Sequence, residues 1–364
     1  MSTPLPTVCF LTGTLNAFAG AERVTAVIAN ALAERGYRVL VLSLWDRTSV
    51  FPLHEGVEHH ALFEQRPSFK RAYVSTVLGI RRFIREQGID VLIEVDTMLT
   101  LFTLPATSGM KVRRIAWEHC HFDEDLGRKA RRVARWLAAK TSSAVVVLTE
   151  RDRQRWLNAL GQHCRIATIG NPLPFAFPAE PAQRGSRIVL AVGRLVRAKG
   201  FDVLLDAWAR VAPAHPDWRL VIVGEGEERD ALEAQVRSLA LGHCVDLPGA
   251  SSEIASYYGE ASIFCLSSRY EGFGLVLMEA MAFGLPVVST NCEAGPKALI
   301  RDGVNGLQVP TEDALALGAA LSRLMQEKHL CEALSSRARD DARRHEIDAI
   351  CPLWQNLLGD IQAV

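Results

Sequence analysis

Two glutamates, Glu271 and Glu279, stand eight positions apart in the segment SSRYEGFGLVLMEAMAFGLPVVST, which begins at Ser267. Glycines crowd the first, and an apolar helical pattern surrounds the second. ASIFCLSS reads as a strand, LVLMEAMAFG as a helix stopped by Gly284, and RYEGFG as the turn between them. Gly272 and Gly274 let the backbone approach a ligand closely. The N–H groups of Phe273, Gly274 and Leu275 would open the helix, and such a terminus attracts an anion by about 0.3–1 kcal/mol. Glu271 then lies on the loop side of the anion, and Glu279 lies roughly 6–8 Å farther along the helix axis. Carboxylates accept hydrogen bonds well from sugar hydroxyls. A hexose, a pyrophosphate and a ribose with two vicinal hydroxyls, joined in that order, match this layout. Taken alone, Glu271 could be a solvated loop residue and Glu279 the partner of a core arginine, but a Gly-flanked turn after a strand suits a ligand site.

A second set of groups follows another strand, in LAVGRLVRAKGFDVLLDAW. Gly193 ends the strand, and Arg194 and Lys199 are the cations best placed beyond it. A diphosphate leaving group gathers negative charge as its bond to a sugar breaks, and two cations stabilise that charge without requiring a metal. In the first half, IAWEHCHFDED follows a strand and carries His119 and His121. No second cluster completes four ligands for zinc, so HCH is not read as a metal site. RKARRVARWLAAK (128–140) is a basic helix with Trp136, and Arg128, Arg131, Arg132 and Arg135 have the spacing of one helical face. Such a face is expected to lie against anionic lipid.

The elements that must hold these residues alternate along the whole chain. TVCFLTG, YRVLVLSLW, DVLIEV, VRRIAWEH, SAVVVLTE and RIATIG read as strands, with helices over 21–36, near 70–87 and near 127–140. The proline-rich stretch 171–186 breaks the pattern. A second series follows: RIVLAVG, RLVIVG, VDLPG, ASIFCLSS, LPVVST and GLQVP, with helices near 199–211, near 226–240 and from about 274, and a helical tail from 313. This alternation predicts two doubly wound α/β domains facing across a cleft, with functional loops at the carboxyl ends of the strands. The expected boundaries are 1–172, a linker at 173–186, 187–345, and a C-terminal helix at 346–364 that packs back on the first domain.

Composition agrees with such a protein. The 364 residues are 49% hydrophobic and 23% charged, and the eight cysteines form no CxxC pair, which points to reduced, mostly buried thiols. No run approaches the length of a spanning helix, and no basic n-region precedes an apolar run at the N-terminus. Net charge is zero, but residues 1–175 hold 23 Lys+Arg and 16 Asp+Glu, a balance of +7, leaving −7 for the remainder. The asymmetry predicts an anionic partner for the first half.

GRLVRAKGFDVLLDAW, LVIVGEGEERDALE and SSRYEGFGLVLMEAMAFGLPVVST together resemble the retaining glycosyltransferases of family 4, which have the GT-B fold. The resemblance covers nearly the whole chain, and the E-x7-E spacing from Glu271 to Glu279 is that family's signature. It implies that Arg194 and Lys199 hold the donor pyrophosphate, with Gly193 beside them. It further implies that Glu271 contacts the donor sugar, that Glu279 binds the ribose, and that the backbone of Phe273, Gly274 and Leu275 meets phosphate and sugar. Gly224 and Glu225 would lie near the base. In LTGTLNAFAGAERV, Gly20, Ala21 and Glu22 match a common family form facing the donor phosphates, although Ala19 replaces the first glycine. His119 matches the family histidine that orients the donor sugar, and His121 is assigned to the acceptor.

The resemblance thus implies a metal-independent, retaining hexosyltransferase without a cofactor. Its donor would be a nucleotide diphosphate sugar, with UDP as carrier. Its acceptor would be a glycan or a polyprenyl-diphosphate-linked saccharide in cell-surface polysaccharide or lipopolysaccharide assembly; CEAGPKALI (292–300) resembles a segment of such transferases. The expected location is cytoplasmic, peripheral at the inner membrane face, with no nucleic-acid partner. Rival readings are a nucleotide-sugar hydrolase or epimerase on the same fold, and a catalytically silent nucleotide-sugar-binding subunit. A dinucleotide oxidoreductase is disfavoured, because GEGEER has Arg229 where G-x-G-x-x-G needs its third glycine.

Overall fold

The computed structural model describes residues 4–125, 127–292 and 295–362. The chain divides into two compact units: one runs to Pro174 and resumes at Ile347, and the other spans Phe175–Glu346.

The first unit begins with β1 (Val8–Thr12), α1 (Gly20–Glu34), β2 (Val39–Trp45), β3 (Val57–Phe63) and α2 (Tyr73–Gln87). It continues with β4 (Val91–Glu94), α3 (Thr100–Thr107), β5 (Arg113–Trp117), α4 (Lys129–Thr141), β6 (Ala144–Val147), α5 (Glu150–Leu160) and β7 (Arg165–Thr168). The strands form one parallel sheet in the order β3-β2-β1-β4-β5-β6-β7. β1, β4 and β6 are buried along their whole length, as strands covered on both faces must be. Helix α2 stops at Gly88, whose left-handed backbone (φ 61°) lets its N–H cap the Ile84 carbonyl.

The second unit contains β8 (Ile188–Val192), α6 (Phe201–Val211), β9 (Arg219–Val223), α7 (Arg229–Ser238), β10 (Val245–Gly249), α8 (Ile254–Glu260) and β11 (Ile263–Leu266). After these come α9 (Leu275–Ala282), β12 (Val287–Thr290), α10 (Gly295–Leu299), β13 (Leu307–Val309), α11 (Ala314–Gln326) and α12 (Lys328–Ala342). Its parallel sheet has the order β10-β9-β8-β11-β12-β13. In both sheets the first strand lies at the point where the strand order reverses, the place where doubly wound sheets bind ligands. The core of this unit surrounds Trp208, Phe201, Leu204, Leu220 and Ile222. A final helix, α13 (Ile347–Gln362), returns to the first unit. There Trp354 meets Trp117 edge-on, with ring centroids 4.8 Å apart, and Arg35 pairs with Asp348.

Several details differ from the sequence reading. Helices α3, α5 and α8 were not anticipated, since they are short and lack a long apolar stripe. Residues from Phe175 onward in the proline-rich stretch belong to the second unit instead of forming a free linker. Ala182 N donates to Phe283 O, the Phe175 ring packs on Phe283, and Arg339 donates to the carbonyls of Pro178 and Ala179. All eight cysteines are free thiols, five of them buried. Among the described residues, no helix is long and apolar enough to cross a membrane.

Candidate active site

Three loops meet at the carboxyl edge of the second sheet, and glycines let them meet. After β9 the chain turns through Gly224 (φ 156°), where a Cβ would lie 1.8 Å from Gly193 O. The loop after β8 therefore presses directly on the loop after β9, and Leu195 N donates to Glu225 O at 2.8 Å. After Gly193 the chain makes a short 3-10 turn (Arg197–Lys199) ended by Gly200 (φ 63°). A side chain at Gly200 would strike Ser267 O at 2.2 Å, so this position also binds the β8 loop to the β11 loop.

These contacts place Lys199 against Glu271. Lys199 Nζ lies 2.5 Å from Glu271 Oε1, and Ser268 Oγ donates to the same oxygen at 2.8 Å. The Lys199 stem crosses Gly193, where a Cβ would be 3.2 Å from Lys199 Cε. Glu271 is nearly buried, yet it sits beside the start of α9. That helix begins after Gly274, which is left-handed (φ 82°). Among the described residues, the backbone N–H groups of Phe273, Gly274 and Leu275 donate to no carbonyl. Arg194 is exposed and has no charged partner among the described residues. A lysine, an exposed arginine and, among the described residues, a row of N–H groups without carbonyl partners at a helix start together form an anion-binding corner.

Glu279 lies deeper, on the inner side of α9, and is almost completely buried. Its Oε2 accepts from the Tyr258 hydroxyl at 2.9 Å. Tyr258 carries no motif and lies 21 positions away, so only the fold discloses it. Ser268, three residues before Glu271, could have been suspected from its place on the same turn. Glu225 is exposed and takes both Arg229 Nε (2.8 Å) and Nη2 (2.6 Å). This pair holds the Glu225 carboxyl below its usual range. Of the segment 292–300, residues 293 and 294 lie outside the described residues.

In the first unit, Gly20 and Ala21 open α1 beyond the carboxyl end of β1. His119 follows β5, with its ring 4.4 Å from that of Trp117. The residue as a whole is half-buried, and Nε2 is sealed with no hydrogen-bond partner among the described residues. Burial pushes its pKa down to about 4, which keeps the ring neutral at physiological pH. His121 is near it on the same loop and supplies its carbonyl to Arg135 at 3.1 Å.

The basic helix requires a correction. Arg131 and Arg135 do not face solvent: they are 3% and 2% exposed and point inward. Arg131 pairs with Asp96 and Glu118, and Arg135 pairs with Glu118. The helix turns its Arg131, Ala134, Arg135 and Ala138 side to the interior, because the fully buried Glu118 must be neutralised. Arg128 and Arg132 do face outward, and Arg132 pairs with Asp125. The four arginines thus divide between two faces.

Comparison with known proteins decides the family. Residues 174–341 match the family described as glycosyl transferases group 1, and residues 18–177 match glycosyltransferase family 4. An uncharacterized glycosyltransferase of Haemophilus influenzae is 33% identical over 339 residues, covering 93% of this chain and 96% of that one. The chain belongs to the family 4 glycosyltransferases. Another relative of this glycosyltransferase, 26% identical over 98% of this chain and 99% of its own, comes from Campylobacter jejuni. It is named as a GalNAc-alpha-(1->4)-GalNAc-alpha-(1->3)-diNAcBac-PP-undecaprenol alpha-1,4-N-acetyl-D-galactosaminyltransferase. Among solved structures, Anabaena Alr3699/HepE in complex with UDP and glucose superposes with a TM-score of 0.80 at 20% identity, covering 98% of this chain and 100% of that one. The two Rossmann-like sheets of this glycosyltransferase are accordingly those of the GT-B fold. Among the described residues, no group of three or more His, Cys, Asp or Glu side chains converges as a metal site.

Proposed function

We propose that the protein is a retaining, metal-independent hexosyltransferase. It moves a hexose or N-acetylhexosamine from UDP to a hydroxyl of a glycan or polyprenyl-diphosphate-linked acceptor in cell-surface polysaccharide assembly, forming an α-glycosidic bond. The observation that carries this reading is the pairing of Lys199 with Glu271 at 2.5 Å beside the start of α9. A cation, a carboxylate and the N–H groups of a helix start in one corner suit a sugar joined to a diphosphate.

In this reading Arg194, Lys199 and the N–H groups of Phe273, Gly274 and Leu275 bind the diphosphate. Glu271 accepts from donor-sugar hydroxyls while Lys199 and Ser268 fix its orientation. Glu279 accepts from the ribose, Gly224 and Glu225 border the base, and Gly20 and Ala21 face the phosphates. His119, neutral at working pH, orients the donor sugar, and His121 contacts the acceptor. The C1–oxygen bond to the diphosphate breaks while the acceptor oxygen bonds C1 from the same face. The acceptor proton passes to the departing phosphate oxygen, whose charge the two cations stabilise.

The acceptor is proposed to arrive at a membrane. Helix α3 packs against both α2 and α4, and the outer sides of those two helices are apolar and basic. α2 exposes Val74 and Leu78 with Arg82 and Arg85, and α4 exposes Val133 and Trp136 with Lys129, Arg132 and Lys140. Such a surface suits anionic headgroups over an acyl boundary. It gives the protein a peripheral place at the inner face of the cytoplasmic membrane. The name of the Campylobacter relative, which contains PP-undecaprenol, is in keeping with such an acceptor.

Screening the purified protein against a panel of nucleotide sugars for protection against heat tests the donor. UDP sugars are expected to protect, and absence of protection by every nucleotide sugar would refute the reading. With the protecting donor and an acceptor, turnover should persist in EDTA, and the product should be the α-anomer by NMR. Free sugar released equally fast without acceptor would favour a hydrolase, and binding without any turnover a silent subunit.

A further inference from the structure

We propose that Arg135, with Arg131 beside it, is a positioning residue for His119, because the two side chains tie down the loop from Glu118 to Glu124 from the inner face of α4. The inference rests on the role given to His119 above. Arg135 spends its whole fork on this loop. Nη1 donates to Phe122 O at 2.5 Å, Nη2 to His121 O at 3.1 Å and Glu124 O at 2.9 Å, and Nε to Glu118 Oε2 at 2.8 Å. Arg131 Nη1 donates to Glu118 Oε1 at 3.1 Å, and Arg131 also takes both oxygens of Asp96. Glu118 is completed by Thr97 Oγ1 at 2.6 Å and by Cys120 N at 3.0 Å. From the other side, Phe122 N donates to Asp152 Oδ1 at 2.7 Å.

His119 is thereby clamped at both neighbours, Glu118 and Cys120, while its ring rests on Trp117. The loop has no strand or helix to satisfy its backbone, so carbonyls that turn inward need donors from elsewhere. A planar guanidinium supplies several donors in one fixed geometry, and a lysine cannot. Two carboxylates, Asp96 and Glu118, face the two guanidiniums, so each buried arginine has an anionic partner. A helix whose arginines served lipid alone would have no reason to direct one of them at three carbonyls of one loop and a second at the buried carboxylate that begins it.

The test uses R135K, which keeps the charge and loses the fork. Amide hydrogen exchange over residues 119–124 should rise at least about tenfold while the remaining sheet stays protected. With the donor selected by the thermal panel, kcat should fall about tenfold or more while the donor KM stays within about threefold. Vesicle binding should be unchanged. If R135K does not fold, the double variant E118Q/R135M removes both partners of the pair, leaves no uncompensated buried charge, and should give the same exchange and kcat changes. Unchanged exchange in the folded variant would overturn the tether. Raised exchange with wild-type kcat would overturn its link to the chemistry. H119A separates the two layers: wild-type kcat there would sink the proposed role of His119 and with it the positioning claim, whatever the loop exchange shows.

Discussion

Lys199 and Glu271 hold each other at the mouth of the anion corner, so neither can be changed without touching the other. Lys199→Ala should lower kcat about 10²–10³-fold, as removal of a group aimed at developing charge does, with a smaller change in donor affinity. Steady-state kinetics would show it, and wild-type turnover would refute the assignment. Glu279→Ala is expected to weaken UDP binding about tenfold or more by calorimetry, because it removes the carboxylate proposed to accept from the ribose. In the first unit, burial pushes Asp152 up to about 6 and His119 down to about 4. Their contributions to stability have opposite slopes. Asp152 binds its proton more tightly folded than unfolded, so its stabilising share is full below about pH 4 and is lost as pH rises toward 6. His119 contributes fully above about pH 6.5, and that share is lost as pH falls toward 4. Asp152→Asn should therefore stabilise the protein at pH 7.5 by on the order of 1–3 kcal/mol, and much less at pH 4.5. Urea denaturation at the two pH values would reveal it, and equal effects at both would contradict the burial argument.

At the scale of elements, the site depends on loops that approach within backbone contact. Gly224→Ala would force a methyl group against Gly193 O. The β8 and β9 loops would have to separate, with a loss of several-fold or more in UDP affinity and of roughly 1–3 kcal/mol in stability. Full UDP affinity in the variant would show that this approach does not shape the site. Helix α4 serves two ends with two faces. Its inner arginines hold the β5 loop, and its outer side carries Lys129, Arg132, Val133, Trp136 and Lys140. Reversing the outer charges (K129E with R132E) should release the protein from anionic vesicles in a low-salt pelleting assay without altering loop exchange. Vesicle binding at wild-type level would sink the membrane reading. Periodicity in the sequence revealed that α4 is a basic helix, but it could not reveal which arginines turn inward. That choice was made by Glu118 and Asp96, which reach α4 from the ends of β5 and β4.

At the scale of the whole molecule, the chain leaves the first unit at Pro174 and returns at Ile347. Helix α13 restores the first unit's core with Ile350, Trp354, Leu357 and Leu358. Trp354→Ala should cost about 3–5 kcal/mol, since the ring is fully buried against Trp117. Calorimetry should place that loss in the transition of the first unit, and a loss confined to the second unit's transition would contradict the assignment of α13. The amino-acid order alone determined the two alternating α/β series and the Gly-flanked turn with its eight-residue glutamate spacing, because period, turn chemistry and motif spacing are local properties. Only the tertiary structure decided that Lys199 meets Glu271, that Tyr258 holds Glu279, and that Arg131 and Arg135 face inward. Those contacts join residues from 13 to 72 positions apart, and such distances are closed by sheet order and packing, which no single segment contains.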